Sequence, residues 1–330
     1  MTHVTRRRPL TVTSALATAL ICALGMASCS DADGSGDGGT AATVPVTHAF
    51  GTTEVPVHPG HALSFSRTWT DAFAELGEPV ATQVVNGQFS DGVPWAPEGT
   101  GGTSVAGETV PVTVTSADLV TTFGMEAVAD KNPDVIFAGY LPDRETYDRL
   151  AAIAPTVATV GDGMVDDWRE VTTTAGRIVD REEDAASAIA AVDRAMGGVG
   201  QRYPAVEGAS FVYAAYRAKS FTVITSPADA SNRFFSDLGM VSAADRVRGT
   251  ESGRGKVVSA ENTDMLDVDL PVLWISGETP DDLPGWSDLR AVRRGSDPQL
   301  DTVAATALGA PSVLSIPWVI DQLDPYFAAL

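Results

Sequence analysis

Asp166–Met196, DDWREVTTTAGRIVDREEDAASAIAAVDRAM, is the stretch on which the reading of this chain turns. Its apolar residues Trp168, Val171, Ala175, Ile178, Ala186, Ile189, Val192 and Met196 fall at helical spacing along one face. Asp180, with Glu183 three residues on, reads as a capping box, so a kink or restart is expected there. Thirty residues of helix at roughly 1.5 Å each would span on the order of 45 Å, longer than one compact layer needs. The segment is read as a spine joining two lobes.

On its N-terminal side the pattern alternates. Val55–Ser66 reads as a strand, Thr68–Leu76 as a helix stopped by Gly77, Pro79–Val84 as a strand, and Phe89–Gly107 as a Gly- and Pro-rich loop. Thr109–Thr115 reads as a strand, Phe123–Lys131 as a short helix, and Pro133–Tyr140, PDVIFAGY, as an apolar strand bounded by turn residues. Helix Glu145–Ile153 and strand Pro155–Val160 complete that side. Beyond the spine come strands Ala209–Ala215, Ser220–Ile224 and Leu270–Ile275. Helices are expected at Ser231–Leu238, Glu261–Leu266, Trp286–Val292 and Val319–Ala328. Alternating strands and helices imply βαβ units and parallel sheets. The fold class expected is α/β: two βα lobes with parallel sheets joined by one long helix, with the N-terminal lobe at 48–163, the linking helix at 164–198 and the C-terminal lobe at 199–330. At 330 residues and 44% hydrophobic content the chain has material for two cores.

The N terminus reads differently. Arg6, Arg7 and Arg8 precede an apolar run, Leu10–Ala27, too short to span a bilayer and followed by a cleavage site, so residues 1–28 read as a secretory signal peptide. The arginines also hint at a twin-arginine signal. Met26-Ala27-Ser28-Cys29 resembles the lipobox of bacterial lipoproteins, making Cys29 the lipidation site, whereas Cys22 after Ile21 is a poor one. Cleavage would leave Cys29 as the sole cysteine, so no intrachain disulfide is expected. Residues 29–47, most of them SDADGSGDGGTAAT, read as a flexible tether, placing the protein at the outer face of the cell membrane on a lipid anchor. With 22 Lys plus Arg against 43 Asp plus Glu the net charge is −21, and loss of the three N-terminal arginines makes it −24. Such a surface repels nucleic acid.

PVHPGHALSFSRTWTDAFAELGEPV, EAVADKNPDVIFAG followed by YDRLAAIAPTV, the DDWREV opening of the spine with its AGRIVDREEDA break, FFSDLGM, VVSAENTDMLDVDLPVLWI and SVLSIPWVID occur in that order. From Glu54 to Leu330 the chain thereby resembles the helical-backbone (class III) substrate-binding proteins of ABC importers for iron-siderophore complexes, haem and cobalamin. The resemblance implies a rigid two-lobe clamp that holds a ferric siderophore in its cleft and delivers it to an ABC permease, with no chemistry or cofactor of its own. Haem or cobalamin is the alternative ligand. It also implies that one acidic residue on each lobe docks onto permease arginines, and Glu126 and Glu261 occupy those positions. Near the starts of short helices, both would also be favoured by the helix dipole alone. Two stretches depart from the family: the loop Gly87–Gly107 is long, and Arg293–Leu300, RRGSDPQL, lacks the usual strand-like piece.

For ligand contacts, parallel-sheet topology points to residues just after strand ends. Arg67 and Trp69 follow the first strand, Tyr140 follows PDVIFAG, and Tyr213, Tyr216 and Arg217 follow the first strand of the second lobe; Trp95 and Trp286 lie in loops that could overhang the same cleft. Aromatics offer flat apolar area and Arg217 could pair with an anionic chelate, although buried aromatics are commonly core. Of four histidines, His3 is removed with the signal peptide and His48, His58 and His61 lie at the start of the first lobe; His58 and His61 could be ligands, but a closed site needs three or four donors of defined geometry, and the second lobe offers no further His or Cys. No metal site is expected. An enzyme, such as a secreted α/β hydrolase, is the rival class, but no Gly-x-Ser-x-Gly elbow occurs. Gly161–Asp166 carries an acid where a dinucleotide loop needs glycine, and Gly249–Lys256 has the wrong spacing for a phosphate loop; both read as tight turns.

Overall fold

The computed structural model describes residues 42–96, 105–114, 118–253, 255–277, 279–281 and 283–330; the expected signal peptide, Cys29 and most of the expected tether lie outside the described residues. The tether is shorter than expected at its C-terminal end, because Thr43–His48 (β1) pairs antiparallel with Gly51–Pro56 (β2), burying Val46 and Val55. The single strand expected over Val55–Ser66 is broken after Pro56 by His58, whose φ of 46° turns the chain, and resumes as Ala62–Ser64 (β3).

From there the first half runs Arg67–Glu75 (α1), Val80–Asn86 (β4), Ala106–Val112 (β5), Leu119–Phe123 (α2), Met125–Asp130 (α3), Val135–Gly139 (β6), Arg144–Ala151 (α4) and Thr156–Ala158 (β7). Its five strands form one wholly parallel sheet in the order β5-β4-β3-β6-β7. β3 and β6 are buried along their whole length, as their near-continuous apolar sequences require for strands covered on both faces.

The spine is two helices, Trp168–Ile178 (α5) and Glu182–Arg202 (α6). The break falls where expected, but no capping box forms there. Asp180 has φ 50° and its carboxylate faces His58, 3.1 Å away, while Arg181 takes the N-cap position without a side-chain cap. Acidic residues Glu182, Glu183 and Asp184 in the first turn complement the dipole instead. Val192 and Met196 are buried as expected, together with Ala185, Ala188 and Val199, whereas Ala186 is exposed and Ile189 half-buried. Gly176 permits the close approach of the two helices, since a Cβ there would lie 2.7 Å from that of Ala185.

The second half comprises Ser210–Arg217 (β8), Ser220–Ile224 (β9), Ala230–Asp237 (α7), Val241–Ser242 (β10), Thr250–Ser252 (β11), Gly255–Ser259 (β12), Leu270–Ile275 (β13), Arg290–Arg294 (α8), Gln299–Leu300 (β14), Thr302–Gly309 (α9) and Ser315–Ala328 (α10). Its sheet order is β11-β12-β9-β8-β13-β14, with β10 also on β8. β10, β13 and β14 extend the parallel part; from β8 to β11 the strands are antiparallel, a refinement of the parallel sheet expected. The reversal occurs at Ala218 and Lys219, with φ of 49° and 56°, a two-residue hairpin that matches strand twist. β14 supplies a strand within the segment Arg293–Leu300 that was expected to lack one.

The halves share a core. Val85, Phe89, Val93 and Trp95, from the segment after β4, pack in one apolar cluster with Phe234, Ile316 and Val319 of the second half, and Trp318 packs against it.

Candidate functional site

β3, β4 and β6 lie side by side and end together, so the chain leaves the sheet three times at one edge. It leaves β3 through Phe65 and Ser66 into α1, β4 through Asn86 into the turn Gly87–Phe89, and β6 through Gly139 to Tyr140. These exits enclose a cavity of about 310 Å³, on whose far side Thr306 and Ala310, from α9 and the residue capping it, contribute from the second half. Gly139 is required where it stands: its φ is 61°, and a Cβ would meet Ser66 Cβ at 3.0 Å and Asp166 Oδ2 at 3.1 Å.

Asp166 forms part of the wall. Its Oδ2 accepts from Ser66 Oγ at 2.5 Å and its Oδ1 from the Val160 amide at 2.9 Å. Burial pushes its carboxyl up to about 6, against the pull of those two hydrogen bonds, and neighbouring Asp167 pushes the same way. Because Ser66 donates its hydroxyl to Asp166, it leaves α1, whose N-cap it occupies, without a side-chain cap.

Arg67 opens α1. Its Nη1 donates to Gln83 Oε1 at 3.0 Å and stands 3.9 Å from Asp71 Oδ1, and the guanidinium lies 5.8 Å from the centre of the Phe89 ring. Asp71 is fully buried and its Oδ2 accepts from Trp95 Nε1 at 2.9 Å and from Ser312 Oγ at 2.5 Å. Burial pushes its carboxyl above the usual range, opposed by Arg67, Ser312 and Trp95, and burial likewise lowers Arg67. Since Thr68 Oγ1 also donates to the Pro311 carbonyl at 3.2 Å, the start of α1 is fastened to the second half. A smaller cavity of about 40 Å³ shares Val165 and Asp166 with the first and continues toward Trp168, Met196 and Arg233. There Arg233 Nη1 lies 3.4 Å from Asp167 Oδ2 and Arg169 lies 3.8 Å from Asp237, so each cation already has a carboxylate.

Of the residues singled out by sequence, Arg67 and Tyr140 line the larger cavity, and Tyr140 is 50% exposed. Five others do not line it and are core. Trp69 is fully buried and stacks on Phe137 at 4.3 Å, and its Nε1 has no acceptor, so it is there for apolar area. Trp95 is buried 5.3 Å from Trp318 with its indole N–H on Asp71. Tyr213 packs in the shared core, and Tyr216 and Trp286 flank Phe221 at 4.9 and 6.2 Å. Arg217, at the hairpin after β8, is exposed and not in the cavity wall. Glu126, in the first turn of α3, and Glu261, in the 3-10 segment Ala260–Leu266, are both exposed.

Sequence reasoning missed Phe65, Gln83, Asn86, Phe89 and Asp166. The same rule about strand ends would have found Asn86 and Phe89 had β4 been carried two residues further. Asp166 carried no such signal, because its place in the wall depends on the turn Gly161–Val165 folding back on β7 and Ser66. Among the described residues no group of three or more His, Cys, Asp or Glu could hold a metal ion, and no helix is long and apolar enough to cross a membrane. His48 is committed to structure: its Nδ1 accepts from the Phe50 amide at 3.2 Å, so Nε2 is the donor toward Thr53 Oγ1 at 2.9 Å.

Comparison with known proteins identifies the lineage. Residues 73–296 match the model of the periplasmic binding protein family. A probable siderophore-binding lipoprotein of Bacillus subtilis (strain 168), YfiY, is 21% identical, over 93% of this chain and 95% of that protein. A periplasmic solute binding protein of Mycobacterium smegmatis superposes with a TM-score of 0.67 at 24% identity, covering 87% of this chain and 98% of that one. PiaA of Streptococcus pneumoniae TIGR4, solved in complex with ferrichrome, gives 0.64 at 22% identity, covering 86% and 98%. The fold is that of these binding proteins, as the resemblance in sequence implied. The chain belongs to the periplasmic binding protein family, whose members bind solutes and are not enzymes.

Proposed function

We propose, from that membership, that this protein captures a ferric siderophore in the cavity at the ends of β3, β4 and β6 and delivers it to the permease of an ABC importer for iron uptake. The observation that carries the reading is the convergence of three parallel strand ends on one open cavity of about 310 Å³, the place where α/β sheets bind small molecules and the lower end of the usual size. Its wall combines aromatic faces, Phe65, Phe89 and Tyr140, with a fixed guanidinium, Arg67. Names of relatives support the ligand class: one is a probable siderophore-binding lipoprotein and a structural neighbour was solved with ferrichrome. Iron here is cargo held by its chelator. Glu126 and Glu261 are assigned to docking on the permease, supported by their exposure, one on each half. Cys29 is assigned to the lipid anchor at the outer face of the membrane.

The test is quenching of tryptophan fluorescence of the purified full chain, in detergent, by ferric siderophores, haemin and cobalamin. Saturable quenching by a siderophore at submicromolar concentration, about −8 kcal/mol or tighter, is expected. Quenching by haemin or cobalamin alone would replace the siderophore with that ligand. Glu126→Ala with Glu261→Ala should leave the titration unchanged and stop uptake by cells; normal uptake would remove the docking assignment.

A further inference from the structure

We infer that the cavity selects a ferric chelate without net negative charge, an uncharged or cationic complex of the trihydroxamate type, over a trianionic tris-catecholate. The inference rests on the siderophore reading above and deepens it.

The argument is a charge inventory. Among the described residues that line the cavity, the side chains able to carry charge at neutral pH are Arg67, Asp118 and Asp166. Arg67 is not a free cation. Its guanidinium donates to Gln83 and is backed at 3.9 Å by Asp71, a carboxylate buried behind the wall whose Oδ2 accepts two hydrogen bonds. Those two charges offset one another as seen from the cavity. Asp118 and Asp166 then tip the balance to negative. Asp118 accepts from the Thr121 amide at 2.9 Å and its hydroxyl at 2.8 Å, and among the described residues no cation lies within 4 Å of it.

Among the described residues nothing nearby restores a positive field. Thr306 and Ala310, the contributions from the second half, are uncharged. In the adjoining cavity Arg233 and Arg169 are matched by Asp167 and Asp237. The uncapped first turn of α1 adds about half a positive charge, less than either carboxylate when ionised. The whole chain carries −21, so long-range steering also disfavours an anion.

A chelate of charge −3 entering this wall would be desolvated without a counter-charge, which binding sites avoid. An uncharged or cationic complex meets no such obstacle. Its methylene arms match Phe65, Val85, Phe89 and Leu119, and the remaining N–H groups of Arg67 can donate to iron-bound oxygens, which are electron-rich even in a neutral complex.

The experiment is a fluorescence titration of the full chain with ferrichrome (uncharged), ferrioxamine B (cationic) and ferric enterobactin (trianionic), at low and physiological salt. At least one trihydroxamate is expected to bind about a hundredfold or more tighter than ferric enterobactin, since two to three unit charges are at stake in a poorly solvated site. Asp118→Asn should narrow the gap between ferrioxamine B and ferric enterobactin several-fold. Equal or tighter binding of the tris-catecholate, or a gap that Asp118→Asn leaves unchanged, would overturn the charge selection and leave the siderophore reading standing. Silence toward all three chelates would overturn both.

Discussion

β3 and β8 hold equivalent places, each central in its sheet with a strand on either side, and each has an arginine at or just beyond its C-terminal end. The two arginines end in different surroundings. After β3 the chain leaves the sheet through Phe65 and Ser66 and enters α1, so Arg67 stands over the strand end and lines the cavity. After β8 the chain reverses within two residues, Ala218 and Lys219, and returns as β9, so Arg217 sits exposed on a hairpin. A crossover leaves a strand end uncovered; a hairpin covers it with its own next strand. What makes a strand end a site is the direction of the chain beyond it.

The first way to break this comparison is to remove what holds the β3 exit in place. Asp71 ties α1 to Ser312 and Trp95 and backs Arg67, with its side chain wholly inside. Asp71→Ala leaves a buried indole N–H and a hydroxyl without their acceptor and the Arg67 guanidinium without its neighbouring carboxylate. A loss of about 3 to 5 kcal/mol is expected, typical of deleting one partner of a buried pair, read from urea unfolding. A loss below about 1 kcal/mol would mean that the contact between the halves does not hold the exit.

A smaller effect concerns the cavity wall. Asp166 titrates near 6 in the folded protein against an ordinary value of 3.8. A raised carboxyl favours folding when protonated: its destabilising contribution is present above pH 6 and fades as pH falls toward 4. Two units amount to about 3 kcal/mol. Asp166→Asn keeps the shape and loses the titration, so its melting temperature should rise less than that of the wild type on going from pH 8 to pH 4.5. Parallel curves for the two proteins would show that Asp166 is not desolvated as its hydrogen bonds to Ser66 and Val160 imply.

Much of this was legible in the sequence because it rests on local patterning. The order of strands and helices, the break in the spine and a helix starting at Thr68, one residue from the observed Arg67, all follow from short-range spacing and turn residues. The first turns of α6 did not: after the left-handed Asp180, Ala185 and Ala188 are buried where Ala186 and Ile189 were expected. Nor did the fates of Trp69, Tyr216 and Trp286: an aromatic beside a strand end has the same sequence signature whether it packs inward or lines a cavity. Glu126 and Glu261 came from resemblance, and composition alone would not have set them apart from 41 other acids.

The mildest test sharpens the comparison most directly, because it changes the same residue type at the two strand ends. Arg67→Ala should weaken binding of the preferred ferric siderophore by about 1 to 3 kcal/mol, the range for losing a hydrogen bond from a charged donor. Arg217→Ala should leave the dissociation constant within about twofold, since surface changes remote from a site are near neutral. Arg67→Ala also uncovers Asp71, so binding is to be measured at a temperature where circular dichroism shows both variants folded. Arg67→Lys separates the roles: a lysine supplies the charge without the planar fork that reaches Gln83 and a ligand together. Recovery by lysine would assign the effect to charge at the strand end, and failure of recovery would assign it to geometry. If instead Arg217→Ala weakened binding and Arg67→Ala did not, the ligand would occupy the hairpin side of the second sheet, and the contrast between an open and a covered strand end would not govern recognition in this protein.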